Sequence, residues 1–146
     1  MITQILASMI GVLAFGILFH VPKKYYAACA FTGAVCWASY LLFLNNGCTA
    51  VTASLGAAFI LTLLCRAMSP ILRGPVTVFL IPGVFPLVPG AGIYYTAYYL
   101  IMNDVAMGSA KGLETFKIAG AIVLGIVFGS AFPQSWFHRL TKKIRT

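Results

Sequence analysis

The chain has 146 residues, of which 61% are hydrophobic and 8% are charged, and its formal net charge is +8. Soluble domains carry about 25% charged residues, so this composition excludes a soluble monomer and indicates an integral membrane protein. The basic residues lie between apolar segments and at the C-terminus, a pattern that membrane topology explains better than binding to nucleic acid.

The apolar segments predict an all-α integral membrane protein with a single transmembrane domain over residues 1–146. The length allows about five spans of roughly 20 residues with short connections. The first apolar run lacks the positive region of a signal peptide, so we interpret it as a retained span. The predicted spans are 2–19, 27–44, 48–65, 75–102 and 115–132, with loops at 66–74 and 103–114 and a basic tail at 136–146.

The lysines and arginines are distributed unevenly over the loops of this five-span arrangement. Eight of the ten fall on one side, in the connections after the first and third spans and in the tail, and only Lys111 and Lys117 fall on the other. Because cytoplasmic loops are rich in lysine and arginine, this count predicts an N-terminus outside the cell and a cytoplasmic C-terminus. It also predicts that the fourth span makes one net crossing.

The fourth span is interrupted by prolines and glycines, and we call residues 82–92 the Pro/Gly break. Pro82, Pro86 and Pro89 fall within eight residues, and each removes a backbone donor, so one straight helix cannot contain them. Lipid cannot hydrogen-bond the carbonyls that are freed, so such a break is tolerated only against protein or a water-filled cavity. Transporters build substrate sites from helices broken in this way.

We therefore predict that the fourth span is discontinuous at the Pro/Gly break and forms part of a substrate path, with a purely structural kink as the alternative. A helix that starts just after the break would direct its positive dipole end at the same place. The residues predicted to shape this path are Pro82, Gly83, Pro86, Pro89 and Gly90, with hydroxyl groups from Thr77, Tyr94 and Tyr95.

The interiors of the predicted spans contain no charged side chain, so charged candidates lie at the span ends. Asp104 is a candidate coupling acid for proton-driven transport, and a solvated carboxylate at a helix end is the alternative. Arg66 and Arg73 lie at the predicted cytoplasmic end. They could draw anionic substrates in at a cytoplasmic mouth, or serve only as topology anchors.

The chain carries no pattern that predicts catalysis, a metal site or a cofactor. Its four cysteines show no C-x-x-C or Cys/His spacing, and no paired carboxylates or nucleophile motif occur. Glu114 lies three residues from both Lys111 and Lys117, which predicts an ion-pair cluster on the surface. Small residues recur every four positions along the fifth span, as in helices that pack closely in lipid, within this chain or against a partner.

Two stretches resemble the threonine/serine exporter family, in its second-half or small-subunit form. The first is FLIPGVFPLVPGAGIYYTAYYLI, over residues 79–101, and the second is AFGILFHVPKKYYAACAFTGAVCWASYLL, over residues 14–42, with an F-G-x-x-F-x-V-P start. The resemblance covers nearly the whole chain. It implies an exporter of small polar or anionic metabolites in the bacterial inner membrane, with one branch associated with threonine and serine and another with succinate.

The same resemblance implies a partner protein. Some members of the family are fused chains with about ten spans, and others are split between a larger subunit with a cytoplasmic domain and a small hydrophobic subunit like this one. Two five-span halves would be antiparallel in the membrane, as in transporters with inverted repeats. Two alternatives are a non-transporting subunit that stabilises a membrane complex, and a homo-oligomeric channel built from this chain alone.

Overall fold

The computed structural model describes residues 2–132, and this part of the chain is built of α-helices and short 3₁₀ turns without a strand. The helices are α1 (Ile2–Leu18), α2 (Tyr26–Asn45), α3 (Ala50–Leu72), α4 (Val76–Val84), α5 (Gly90–Ile101) and α6 (Val105–Ala131). The all-α prediction is therefore confirmed. The predicted basic tail at 136–146 lies outside the described residues.

Three helical segments are long and apolar enough to cross a membrane, namely Lys23–Asn45, Ala50–Leu72 and Val105–Ala131. The segments on either side of the Pro/Gly break, Val76–Leu87 and Gly90–Ile101, together form a fourth candidate span that is bent by 49°. The α1 helix has 17 residues, which is somewhat short for a span of about 20 residues. The count of five spans therefore remains a prediction.

Two of the predicted loops are wrong, because helices occupy most of them. The α3 helix continues past Arg66 to Leu72 and contains Pro70 in its last turn. Arg73 follows as the C-cap, with a left-handed backbone (φ 53°), and its N–H donates to the carbonyl of Ser69. The α6 helix starts at Val105, ten residues before the predicted fifth span, because the side chain of Asp104 caps it.

The α3 and α6 helices pack side by side and run in the same direction. A Cβ atom at Gly125 would lie 2.9 Å from the Cβ of Ala58, and one at Gly129 would lie 2.7 Å from the Cβ of Thr62. A step of four residues along α6 thus matches a step of four along α3. The bent segment between them must carry the chain from one end of the bundle to the other, as a single net crossing requires.

The basic residues of the first and third connections lie at the same end of the bundle. The hydroxyl of Tyr25, next to Lys24, donates to the carbonyl of Arg73 at 3.0 Å. Arg66 donates to the carbonyls of Ser130 and Phe132 at 3.0 and 2.6 Å, so its guanidinium caps the last turn of α6. This clustering agrees with the uneven charge distribution in the sequence.

The core lies where α2, α3 and α4 meet. Leu61, Phe79 and Cys36 are fully buried there. The buried hydroxyls of Thr32 and Thr62 donate to carbonyls of their own helices at 2.7 and 2.8 Å. Each hydroxyl is satisfied within its own helix. These two buried hydroxyls are therefore not free to bind a substrate.

Candidate functional site

The Pro/Gly break changes the course of the chain within a few residues. The α4 helix includes Pro82 and ends at Val84, a 3₁₀ turn covers Phe85–Leu87, and Pro89 stands as the residue before α5. The N–H of Gly90 donates to the carbonyl of Val88 at 2.7 Å. The helix is therefore interrupted at residues 85–89, in the second part of the proline and glycine run.

A cavity of about 430 Å³ opens beside this interruption, and we call it the break cavity. It lies between α2, α3, α5 and α6, so two separate pairs of consecutive helices contribute to its wall. Its lining residues are Trp37, Tyr40, Ser54, Pro86, Leu87, Val88, Pro89, Gly90, Ala91, Gly92, Tyr95, Lys111, Glu114, Thr115 and Ile118.

The first turn of α5 forms one wall of the break cavity through Gly90, Ala91 and Gly92. No residue in the described range accepts a hydrogen bond from the N–H groups of Ala91 and Gly92, as is usual for the first turn of a helix. No side chain caps this end of α5 either. The wall therefore presents unpaired donors and the positive end of the helix dipole.

The first half of α6 forms an adjoining wall and supplies two charges. The Nζ of Lys111 lies 2.9 Å from Oε2 of Glu114, and the two side chains remain 42% and 54% exposed. The predicted ion pair between these residues is confirmed, whereas Lys117 does not join it within the described structure. An exposed pair of this kind contributes about 0–1 kcal/mol to stability, so its position matters more than its strength.

The aromatic residues of α2 complete the cavity wall. The rings of Trp37 and Tyr40 lie 5.1 Å apart with planes inclined by 31°. The indole Nε1 of Trp37 is buried and has no hydrogen-bond partner in residues 2–132. An unsatisfied buried donor costs about 1–3 kcal/mol, and native structures retain few of them.

The predicted path residues separate into two groups in the structure. Pro86, Pro89, Gly90 and Tyr95 line the break cavity. The cavity wall does not include the other four predicted residues of the path. They are Pro82, Gly83, Thr77 and Tyr94.

Gly83 and Pro82 are buried in helix packing. A Cβ atom at Gly83 would lie 3.0 Å from both Cδ1 of Leu61 and Oγ1 of Thr32, so this glycine lets α4 approach α2 and α3 closely. Tyr94 is 64% exposed, and Thr77 is exposed as well. The sequence pattern identified the break but not which of its residues face the cavity.

Replacing Gly83 with leucine is expected to prevent accumulation of the folded chain. The added atoms would collide with Leu61 and Thr32 in the closed core, at a cost of at least the roughly 1–3 kcal/mol of ordinary overpacking. Gly90→Leu is the matched control, because nothing lies within 4 Å of a Cβ at Gly90. The amount of protease-resistant protein in membranes measures the effect, and equal amounts of the two variants would contradict the packing role of Gly83.

The charged candidates from the sequence have structural partners. Arg66 caps α6, and Arg73 ends α3 with its carbonyl bound by Tyr25. The carboxylate of Asp104 accepts a hydrogen bond from the N–H of Met107 at 3.1 Å, which makes it the N-cap of α6. None of the three lines the break cavity.

Sequence reasoning missed Lys111 and Glu114 as residues of the site. Their spacing predicted an ion pair, but nothing in the spacing indicates that α6 folds back along α5 and brings the pair to the break. A Cβ at Gly92 would contact the hydroxyl of Thr115, and this close approach of the two helices carries Lys111 and Glu114 to the cavity.

A second cavity of about 660 Å³, which we call the apolar groove, lies between the break, α5 and α6. Its lining includes Val84, Ile93, Leu100, Phe116 and Ile122. The α5 helix packs mainly against α6, so the groove stays open along one side. Residues 2–132 hold no group of three or more histidines, cysteines or carboxylates that could bind a metal ion.

In a comparison with protein families, the chain matches a family described as "Threonine/Serine exporter, ThrE". The match runs from residue 4 to residue 132, so it includes α1 to α6 and the whole of the break cavity. No solved structure matches the chain.

Proposed function

Because this chain belongs to the threonine/serine exporter family, we propose that it is a membrane subunit of a small-metabolite exporter whose substrate path passes through the break cavity. The family is one of membrane exporters and not of enzymes. The observation that carries the proposal is a broken apolar helix pair beside a cavity whose lining includes the charged pair Lys111 and Glu114. Discontinuous helices of this type form substrate sites in secondary transporters.

A larger homologous subunit with a cytoplasmic domain is the proposed partner. The apolar groove supports this proposal, because α5 and the first part of α6 leave it open within this chain. Membrane lipid would cover the remaining apolar surface. The shared direction of α3 and α6 and the basic residues at one end support an N-terminus outside and a cytoplasmic C-terminus in the bacterial inner membrane.

The proposed substrates are threonine and serine, which the family description names, with a dicarboxylate such as succinate as the alternative. The test uses cells that lack both the gene of this chain and that of the larger subunit. We expect intracellular accumulation of labelled threonine, serine or succinate to fall only when both genes are restored.

Three other results would each contradict this proposal in a different way. Export by the purified chain in liposomes would support a homo-oligomeric channel. Export by the larger subunit alone, with this chain only raising its amount, would support an assembly role. Unchanged accumulation of all three metabolites would reject the exporter.

A further inference from the structure

Glu114 is one of two acidic residues in the chain, and it lies in the wall of the break cavity beside the ammonium of Lys111. The other acidic residue, Asp104, is engaged in capping α6. The wall thus presents one cation and one anion in direct contact. The two charges are complementary to those of a free α-amino acid. The cation of the wall would face the substrate's carboxylate, and the anion would face its ammonium.

We infer that the Lys111–Glu114 pair recognises a zwitterionic amino acid, an inference that rests on the proposed export function. The substrate would exchange partners with the pair. Its carboxylate would accept hydrogen bonds from the Lys111 ammonium, and its own ammonium would donate to the Glu114 carboxylate. Separation of the pair costs little, since both side chains are about half exposed and exposed pairs are weak.

The groups around the pair fit the same ligand. Ala91 and Gly92, whose N–H groups are unpaired at the positive end of α5, line the same cavity. The aromatic faces of Trp37 and Tyr40 suit an ammonium group.

A dicarboxylate fits this wall less well. One carboxylate of succinate would be favoured by Lys111, but the other would meet the negative charge of Glu114, and like charges brought together oppose binding. The zwitterion leaves no charge unpaired. The pair therefore selects amino acids over dianions by repulsion as well as by attraction.

Equilibrium binding of labelled L-serine to the full chain in lipid nanodiscs tests this inference, in preparations with and without the larger subunit. We expect saturable binding to the wild type in at least one preparation. Lys111→Gln and Glu114→Gln should each weaken it about 10-fold or more, the usual effect of losing a hydrogen bond to a charged group. Lys117→Gln is the control, because Lys117 is an exposed lysine of the same helix outside the cavity.

Competing probes separate recognition from a structural role. Ethanolamine lacks the carboxylate of serine, glycerate lacks its ammonium, and succinate carries two negative charges. We expect none of them to displace serine from the wild type, and we expect Glu114→Gln to gain affinity for glycerate relative to serine.

The inference is overturned if wild-type protein binds no serine in either preparation, if the two variants bind like Lys117→Gln, or if succinate displaces serine. Serine binding without export in cells would reject the proposed function and leave the recognition site standing. Unchanged export by the Lys111→Gln and Glu114→Gln variants would reject the recognition site and leave the proposed function standing.

Discussion

Replacing Gly125 with leucine is expected to remove nearly all folded protein from the membrane. A Cβ atom there would lie 2.5 Å from the carbonyl oxygen of Leu55 and 2.9 Å from the Cβ of Ala58. The first obstacle is helix backbone, which cannot rotate away as a side chain can. The cost should exceed the roughly 1–3 kcal/mol of overpacking against side chains, because α6 would have to separate from α3.

Gly120→Leu is the matched control for this experiment. Gly120 lies on the same helix, and nothing is found within 4 Å of a Cβ at that position. The thermal stability of detergent-solubilised protein and its amount in membranes should distinguish the two variants clearly. Similar stability of the two variants would contradict the close packing of α6 against α3 and the parallel direction of these helices.

Replacing Gly90 with tryptophan should abolish export while leaving the folded chain in the membrane. Gly90 lines the break cavity, and a Cβ there meets no atom within 4 Å, so the backbone accommodates the side chain. The indole would occupy a substantial share of the cavity and cover the first turn of α5. Export of the labelled substrate in cells carrying both subunits measures the effect, and we expect export no greater than in cells that lack this chain.

The control for the cavity experiment is Gly120→Trp, which adds the same side chain at an open position outside the break cavity. Co-purification of the larger subunit distinguishes a blocked path from a lost complex. Normal export by Gly90→Trp, with the complex intact, would remove the break cavity from the proposed path. Loss of the complex in Gly90→Trp alone would assign this surface to assembly.

The sequence alone determined the class of the protein and the position of its interruption. With 8% charged residues in 146, the chain cannot cover a soluble surface, and this conclusion does not depend on how the helices pack. Proline acts through its own backbone, so the run from Pro82 to Pro89 predicted a broken helix from local chemistry alone. The spacing of Lys111 and Glu114 likewise predicted their ion pair, because residues three apart are neighbours on any helix.

Helix boundaries were less predictable, because a polar loop and the polar first turns of a membrane helix have similar compositions. The cap at Asp104 is a local signal that was readable as a helix start. The segment after Arg66 gave no such signal, since its proline and arginine are typical of a loop as well as of the last turn of a helix.

Only the tertiary structure decided which parts of the break serve packing and which face a cavity. Gly83 and Gly90 look alike in the sequence, yet the first touches Leu61 and Thr32 and the second has open space around it. The packing of α4 and α5 against the other helices decides this difference, and that packing depends on the whole interface. The same holds for Lys111 and Glu114, which reach the cavity because α6 folds back along α5, a contact between residues some 20 positions apart.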